Sequence, residues 1–242
     1  IINNGFLSKV TPVGEKPLIE TACESCGECV VRCPTAALMP KEFPWPDKEV
    51  KTICPYCGVG CGIYLSIRGN DVVKVDGDGD NPVNKGSLCV KGRFGYKFIN
   101  HPDRLSYPLI RQDGELVKAT WEEALNLVAQ KLSKYTRDEV AVISSAKCTN
   151  EENYIIQKFA RVVLNTNNID HCARLCHAPT VVGLVQTFGS GAMTNSINEI
   201  RDTSCILAIG TNTTEAHPVI GLEVKKAVSN GAKLIVANPR EI

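Results

Sequence analysis

Eight of the twelve cysteines fall into two short arrays, and no other feature restricts the fold of this chain so sharply. Cys54-Pro55-Tyr56-Cys57-Gly58-Val59-Gly60-Cys61 puts three thiols into one knuckle, and Cys89-Val90-Lys91-Gly92 offers a fourth from a distant loop. Glycines stand where the backbone must pass close to a bulky inorganic group, and the four thiols read as the holder of one [4Fe-4S] cluster. Upstream, Cys23-x2-Cys26-x2-Cys29-x3-Cys33-Pro34 has the spacing of a bacterial ferredoxin run, with Gly27 in the tight turn between ligands. Small disulfide scaffolds do not usually show two C-x2-C arrays, whereas metal sites do. A zinc knuckle would use two separated pairs rather than four thiols in so short a run.

In two-cluster ferredoxins the fourth cysteine of such a run binds the other cluster. Cys23, Cys26 and Cys29 therefore need a further ligand and Cys33 needs a cluster, yet no cysteine precedes residue 23. The expectation is that a preceding ferredoxin half is absent from this chain. Prolines 40, 44 and 46 make a semi-rigid extended spacer, which puts a boundary near residue 49. Closing the long loop between Cys61 and Cys89 costs roughly 3 kcal/mol. Soft-metal thiolate sites contribute on the order of 10 kcal/mol, enough to hold it shut.

Within that loop, Ile63 to Ile67 and Val72 to Val75 read as a hairpin turning at Gly69-Asn70. Asp76-Gly77-Asp78-Gly79-Asp80-Asn81 copies the start of a calcium loop but lacks Gly at its sixth position and Glu at its twelfth, so a solvated turn is expected. Lys91 follows the last ligand by two residues. It is either a surface charge or a cation facing the cluster or an anionic cofactor.

A chain of 242 residues with 43% hydrophobic content can build a globular core, and a net charge of +1 without basic blocks offers no nucleic-acid footprint. No apolar run is long enough to span a bilayer. The record begins Ile1-Ile2 without Met, so a leader could have been lost from it, while reduced thiolates as metal ligands favour a cytoplasmic setting.

From about Tyr107 the pattern becomes alternating helix and strand. Thr120-Trp121-Glu122-Glu123 reads as a capping box, followed by Ala124, Leu125, Val128 and Leu132 at helical spacing. Helices are also expected over 150–164 and 218–229, and buried strands over 140–143, 205–209 and 234–237. Strand, helix and strand joined by short turns implies parallel β-structure in a Rossmann-like α/β layer. The chain ends just after a strand with no covering helix, which reads as part of a longer polypeptide.

In His171-Cys172-Ala173-Arg174-Leu175-Cys176-His177-Ala178-Pro179-Thr180, Pro179 suits the first turn of a helix carrying Val181, Leu184, Val185 and Phe188 on one face. Cys176 and His177 would then stand at a helix N-terminus, where the dipole favours an anion. A thiolate there could ligate a metal and the imidazole could move a proton; the alternative is a buried cysteine beside a capping histidine. Cys148, Cys172 and Cys205 are expected as small core residues. Gly210-Thr211-Asn212-Thr213-Thr214-Glu215-Ala216-His217-Pro218 joins a strand end to a helix start, the crevice where parallel sheets bind nucleotides.

Taken together, the second array through Gly92, the run Arg174 to Val181, the run Thr211 to Pro218 and the terminal Asn238-Pro239-Arg240 resemble the catalytic subunit of molybdenum- or tungsten-dependent formate dehydrogenases. These are bis-molybdopterin guanine dinucleotide (bis-MGD) oxidoreductases. The resemblance implies that Cys176 binds Mo or W, that His177 is the neighbouring active-site histidine and that Lys91 lies between cluster and pterin. It further implies that Gly210, Asn212, Glu215, His217, Asn238, Pro239 and Arg240 belong to cofactor-binding segments, Asn238 standing where the family commonly has Asp. Cys23, Cys26, Cys29, Cys33, Cys54, Cys57, Cys61 and Cys89 are the cluster ligands of this reading.

The implied fold is α/β: a Rossmann-like parallel-sheet segment of a molybdopterin oxidoreductase (107–242), preceded by a small [4Fe-4S] domain (50–106) and a ferredoxin-like α+β segment (1–49). The implied activity is oxidation of formate to CO2, or its reverse, with electrons passed through the clusters to subunits of diaphorase, ferredoxin-like or hydrogenase type in a hetero-oligomer. A nitrate reductase of the same superfamily typically carries Met where this chain has His177. The non-catalytic iron-sulfur subunit of NADH:quinone oxidoreductases lacks the Cys176-His177 pair.

Overall fold

The computed structural model describes residues 5–8, 11, 13–21, 23–41 and 45–242. Two compact units emerge, one formed by residues up to Pro102 together with Ile197–Ile242, the other by Asp103–Ser196. Residues 197–242 thus pack with the cysteine arrays, a partition that cuts across the sequence-defined segments.

In the first unit, short 3-10 turns at Gly5–Leu7, Val13–Glu15 and Leu18–Glu20 lead to a one-turn helix α1 (Glu28–Val31). No strand forms among the described residues before Lys48, so the α+β character expected of a ferredoxin-like segment is not seen there. Strands persist only where a neighbour satisfies their backbone, and the described residues here close local turns instead, Ser8 N–H onto Gly5 O and Thr21 N–H onto Leu18 O. Three of the residues between Pro40 and Pro46, numbers 42–44, lie outside the described residues.

An antiparallel three-stranded sheet follows, β1 (Lys48–Ile53), β2 (Gly62–Arg68) and β3 (Asp71–Gly77), in that order, with Ile63, Leu65 and Ile67 alternating along β2. The expected hairpin is present, and Gly69 supplies a positive φ of 59° at its turn. β1, which sequence reasoning missed, pairs Ile53 with Gly62 and so makes the cysteine knuckle the loop of a second hairpin. After the loop 78–88 come α2 (Val90–Phe94) and a 3-10 segment Gly95–Asn100.

The loop departs from the solvated turn expected of it. Asp78 is 1% exposed and meets Lys51 Nζ at 2.7 Å, while its Oδ1 accepts the Asp80 N–H. The carboxylate is taken up by a cation and a backbone donor, which is why it can be buried. The Lys51 hydrogen bond holds its acid form back, placing Asp78 below the usual carboxylate range and Lys51 above the usual lysine range.

The remainder of this unit is a 3-10 turn (Ile197–Asp202), β8 (Cys205–Ile209), α7 (Thr213–Ala216), α8 (Pro218–Ser229) and β9 (Lys233–Ala237), with β8 and β9 parallel. Ile197 and Val219 join Val59, Cys61, Ile63, Val75 and Leu88 in one buried core. Each fully buried aliphatic side chain there contributes about 1.5–3 kcal/mol.

In the second unit, the hairpin β4 (Leu109–Gln112) and β5 (Glu115–Lys118) precedes α3 (Trp121–Leu132), β6 (Val142–Ser144), α4 (Asn150–Val162), β7 (Ile169–His171), α5 (Ala173–Cys176) and α6 (Ala178–Phe188). The expected capping box of α3 is formed in both directions between Thr120 and Glu123, and an equivalent one at Thr149 and Glu152 starts α4. β6 and β7 are parallel.

Parallel pairing therefore arises twice, but as two separate two-stranded sheets, so a single Rossmann-like layer is not formed among the described residues. With one partner each, strands expected to be buried keep open faces: every residue of β9 is exposed, as are Leu207 and Ile209 of β8 and Ile143 of β6. Cys205, expected in a core, is exposed on the open face of β8, and Cys148 and Cys172, expected there too, lie exposed in the turns before α4 and α5.

Candidate metal and cofactor site

The knuckle is drawn shut at its base, where the Cys54 N–H donates to the Cys61 carbonyl at 2.9 Å. Gly60 takes a φ of 73°, which lets the chain reverse between Cys57 and Cys61. Cys61 is buried, and Cys54 and Cys57 pack against the same core. Asn84, 3% exposed, brings the far end of the loop home: its Oδ1 accepts the Gly62 N–H at 2.8 Å, and its Nδ2 donates to Gly62 O at 3.1 Å and Ser87 O at 3.0 Å. Leu88 and Cys89 follow directly. Burial pushes the Cys61 thiol up to about 12, and the adjoining Cys54, Cys57 and Cys89 thiols add to the effect. Four thiols thus surround one locus, and Cys61 as a free thiol resists ionisation there.

Such a donor set fits a group carrying positive charge, which would take the thiolates and release their protons. Gly92 of α2 supplies room on the inner side, since a Cβ at that position would stand 3.7 Å from Cys54 Sγ. Tyr56 latches the knuckle to the following segment by donating its hydroxyl hydrogen to the Gly95 carbonyl. Among the described residues no three His, Cys, Asp or Glu side chains close around a single ion. A four-iron cluster is a larger body than one ion, with its cysteines spaced around it.

The first array is arranged in two parts. Cys23, Cys26 and Cys29 line a cavity of about 510 Å³ together with Cys89, Thr214, Pro218 and Lys225. Cys33 does not line it; its Sγ accepts the Leu38 N–H at 3.5 Å and shares a hydrogen bond with Thr35 Oγ1, and these lower the thiol to about 7. Gly27, at φ 77°, caps α1 as the sequence requires of a tight turn between ligands.

Lys91 is exposed in the first turn of α2, beside Cys89, and forms no ion pair among the described residues. Its neighbour Arg93 turns inward, with Nε on the Cys26 carbonyl at 2.8 Å and Nη2 on Glu28. Arg93, Glu28, Asn84 and Tyr56 were all missed by sequence reasoning. Their partners lie tens of residues away, so no local spacing signals them.

At the carboxyl ends of β8 and β9 the two expected cofactor segments meet. The Gly210 N–H donates to Ala237 O at 2.8 Å, setting Gly210 beside Asn238. Asn212 caps α7 by accepting the Glu215 N–H at 3.3 Å, His217 links α7 to α8, and Asn238 Oδ1 accepts the Arg240 N–H at 3.0 Å. Gly210 has a φ of 61° and no heavy atom within 4 Å of where a Cβ would be. This open edge of turns, N–H groups and the Arg240 guanidinium suits a phosphate-bearing cofactor at the crevice of parallel strands.

Cys176 and His177 belong to the second unit. Cys176 ends α5 and His177 occupies the junction before α6, with Pro179 in that helix's first turn; both residues are exposed. Upstream, Arg174 pairs with Asp170 at 2.7 Å and draws that carboxyl below its usual range. The structure thus gathers Lys91 and the segments around Gly210 and Asn238 into one unit and Cys176 with His177 into the other.

Comparison with known proteins bears on both units. Residues 47–101 match the molybdopterin oxidoreductase Fe4S4 domain, and residues 104–242 match the molybdopterin oxidoreductase family. The F420-dependent formate dehydrogenase 1 subunit alpha of Methanococcus maripaludis is 54% identical over 79% of this chain and 28% of its own length. The F420-dependent formate dehydrogenase subunit alpha of Methanocaldococcus jannaschii is 53% identical over 80% of this chain and 28% of its own. The protein named "Probable oxidoreductase YjgC" of Bacillus subtilis is 38% identical over 93% of this chain and 28% of its own. The chain therefore spans between a quarter and a third of the length of these relatives. With one model covering its knuckle and another its whole α/β portion, the chain belongs to the molybdopterin oxidoreductase family.

Proposed function

We propose that this chain is part of the catalytic subunit of a formate dehydrogenase that interconverts formate and CO2 at a Mo or W bis-MGD centre and exchanges electrons through [4Fe-4S] clusters. The observation that carries this reading is the 54% identity to formate dehydrogenase alpha subunits. In this reading Cys54, Cys57, Cys61 and Cys89 hold one cluster, and Cys23, Cys26 and Cys29 take part in another, with Cys33 directed to a further one. When bound, the metal-pterin group supplies the two-electron chemistry that no side chain can perform.

The chain's own residues bind and orient. Lys91 presents a positive charge beside the Cys89 ligand, toward an anionic pterin. Cys176 provides the thiolate ligand to the metal, and His177 receives or returns a proton at its imidazole. Gly210, Asn212, Glu215, His217, Asn238, Pro239 and Arg240 hold the guanine dinucleotide side through N–H groups, hydrogen bonds and the Arg240 charge. Electron-transfer subunits of diaphorase, ferredoxin-like or hydrogenase type complete a hetero-oligomer in the cytoplasm, and F420, for which several relatives are named, joins the acceptors to be assayed. No helix among the described residues is long and apolar enough to cross a membrane.

Formate-dependent dye reduction by the full-length protein tests the reading, with nitrate and reduced dye run alongside. Cys176→Ser should abolish formate oxidation and leave cluster iron in place. Retained turnover, or activity with nitrate alone, would overturn the assignment.

A further inference from the structure

Arg93 lies two positions beyond Lys91 yet points the opposite way, and its side chain is only 5% exposed. It touches three separate pieces of chain. Nε donates to the Cys26 carbonyl at 2.8 Å, Nη2 pairs with Glu28 of α1, and Nη1 stands 3.7 Å from Asp76 of β3. The same Glu28 Oε1 accepts the Leu88 N–H at 3.0 Å, immediately before Cys89. One buried guanidinium and the half-buried Glu28 carboxylate therefore tie the turn between two ligands of the first array to the residues on both sides of Cys89.

The fit leaves no slack. A Cβ on Gly27 would stand 2.8 Å from Arg93 Cδ and 2.9 Å from Phe94 Cζ, so the ligand turn lies directly against α2. Both arrays also face a shared space, since Cys89 lines the cavity of Cys23, Cys26 and Cys29. The other ties are weaker: Arg32 reaches Lys85 O at 3.4 Å from an exposed side chain, and Lys225 stands 3.6 Å from Glu24 at the surface. A solvent-exposed pair would not fix a distance, whereas a pair with a buried guanidinium and several hydrogen bonds does.

We propose that the Arg93–Glu28 pair is a positioning strap that sets the spacing and orientation of the first cysteine array against the Cys89 loop, and with them electron exchange between the two iron-sulfur centres. This rests on the cluster reading given above. The exchange itself moves one electron, one centre being oxidised as the other is reduced, with no bond made or broken. Because tunnelling falls off exponentially with separation, a strap that shifts by a fraction of its hydrogen-bond lengths changes the rate.

The test uses the full-length enzyme with its native subunits, reduced by dithionite, in four forms: wild type, Arg93→Gln, Glu28→Gln and Arg93→Lys. Iron and sulfide content, the magnetic interaction between the two reduced clusters in electron paramagnetic resonance, and the reduction rate of the first-array cluster are measured. Arg93→Gln is expected to keep its iron, to lose or narrow the spin–spin splitting and to slow reduction of the first-array cluster at least tenfold. Arg93→Lys should recover part of the splitting, and Glu28→Gln, which retains an acceptor for Leu88, should show a smaller change. Native splitting and rate in Arg93→Gln would overturn the proposal. Loss of iron from all three variants, the conservative one included, would also overturn it, by making the pair a folding element alone. The cluster reading fails separately: if Cys26→Ser left iron content unchanged, there would be no first-array cluster to position.

Discussion

Replacing Asn84 by Ala removes three hydrogen bonds at once and leaves the buried Gly62 N–H without its acceptor, while the Gly62 carbonyl keeps the Asp78 N–H at 2.9 Å. Leaving a buried backbone group unpaired costs about 1–3 kcal/mol. The Gly62 N–H therefore sets the cost at about 2 kcal/mol, the Gly62 carbonyl keeping a donor and the Ser87 carbonyl lying nearer solvent. Because Gly62 follows Cys61 and Ser87 precedes Leu88 and Cys89, the penalty falls on the joint that brings the fourth thiol to the knuckle. Hydrogen–deuterium exchange on the full-length protein, followed by mass spectrometry over the peptide containing Gly62–Leu65, reads the local opening directly. About 2 kcal/mol corresponds to roughly thirtyfold faster exchange, with peptides from α3 and α4 unchanged. Asn84→Asp keeps one acceptor but turns a carboxylate toward two carbonyl oxygens, so it should not rescue. Acceleration below about threefold would show that the loop re-pairs these groups elsewhere and would refute the assignment of Asn84 as the clasp.

Gly77→Ala should be worse tolerated than any surface change, because its Cβ would stand 2.0 Å from the Gly86 carbonyl oxygen, backbone against backbone; iron content after purification checks this, and a native value would refute it. Thr149→Ala removes one half of the α4 capping box and should lower local stability by about 1 kcal/mol, seen as faster exchange confined to the first turn of that helix. For the Lys51–Asp78 pair the sign is set by both shifts. Asp78, held low, contributes above about pH 4 and loses its contribution as pH falls through its lowered value; Lys51, held high, contributes below about pH 10 and loses it as pH rises through its raised value. Thermal unfolding of wild type and Lys51→Met should differ most across that window and converge at its acid end; a constant difference down to pH 2 would contradict the pairing.

Local signals in the sequence carried far. The capping box at Thr120, the hairpin at Gly69-Asn70 and the helix opening at Pro218 are set by residues within a few positions of one another, and all three form as the pattern predicts. The junction at His177, before α6, is legible for the same reason. What the sequence hid depends on long-range pairing. β1 looks like a charged stretch, Lys48-Glu49-Val50-Lys51-Thr52-Ile53, and becomes a strand because β2 offers it an edge. Asp78 reads as a solvated acid because Lys51, its partner, lies on another strand. The apolar runs at 205–209 and 234–237 announce strands correctly, but whether they are covered is a property of neighbouring layers rather than of their own residues.

The first compact unit is interrupted by the second: residues 103–196 intervene before Ile197 and Val219 can complete the core around Val59, Cys61 and Leu88. At ribosomal speeds the roughly ninety intervening residues take about 5–20 s to emerge. For that interval the cysteine arrays exist as nascent chain without the wall that later closes over them. Any group inserted into the knuckle during that interval would meet a core still lacking Ile197 and Val219. A synonymous-codon change that hurries translation through 103–196 would shorten that window without altering a single residue.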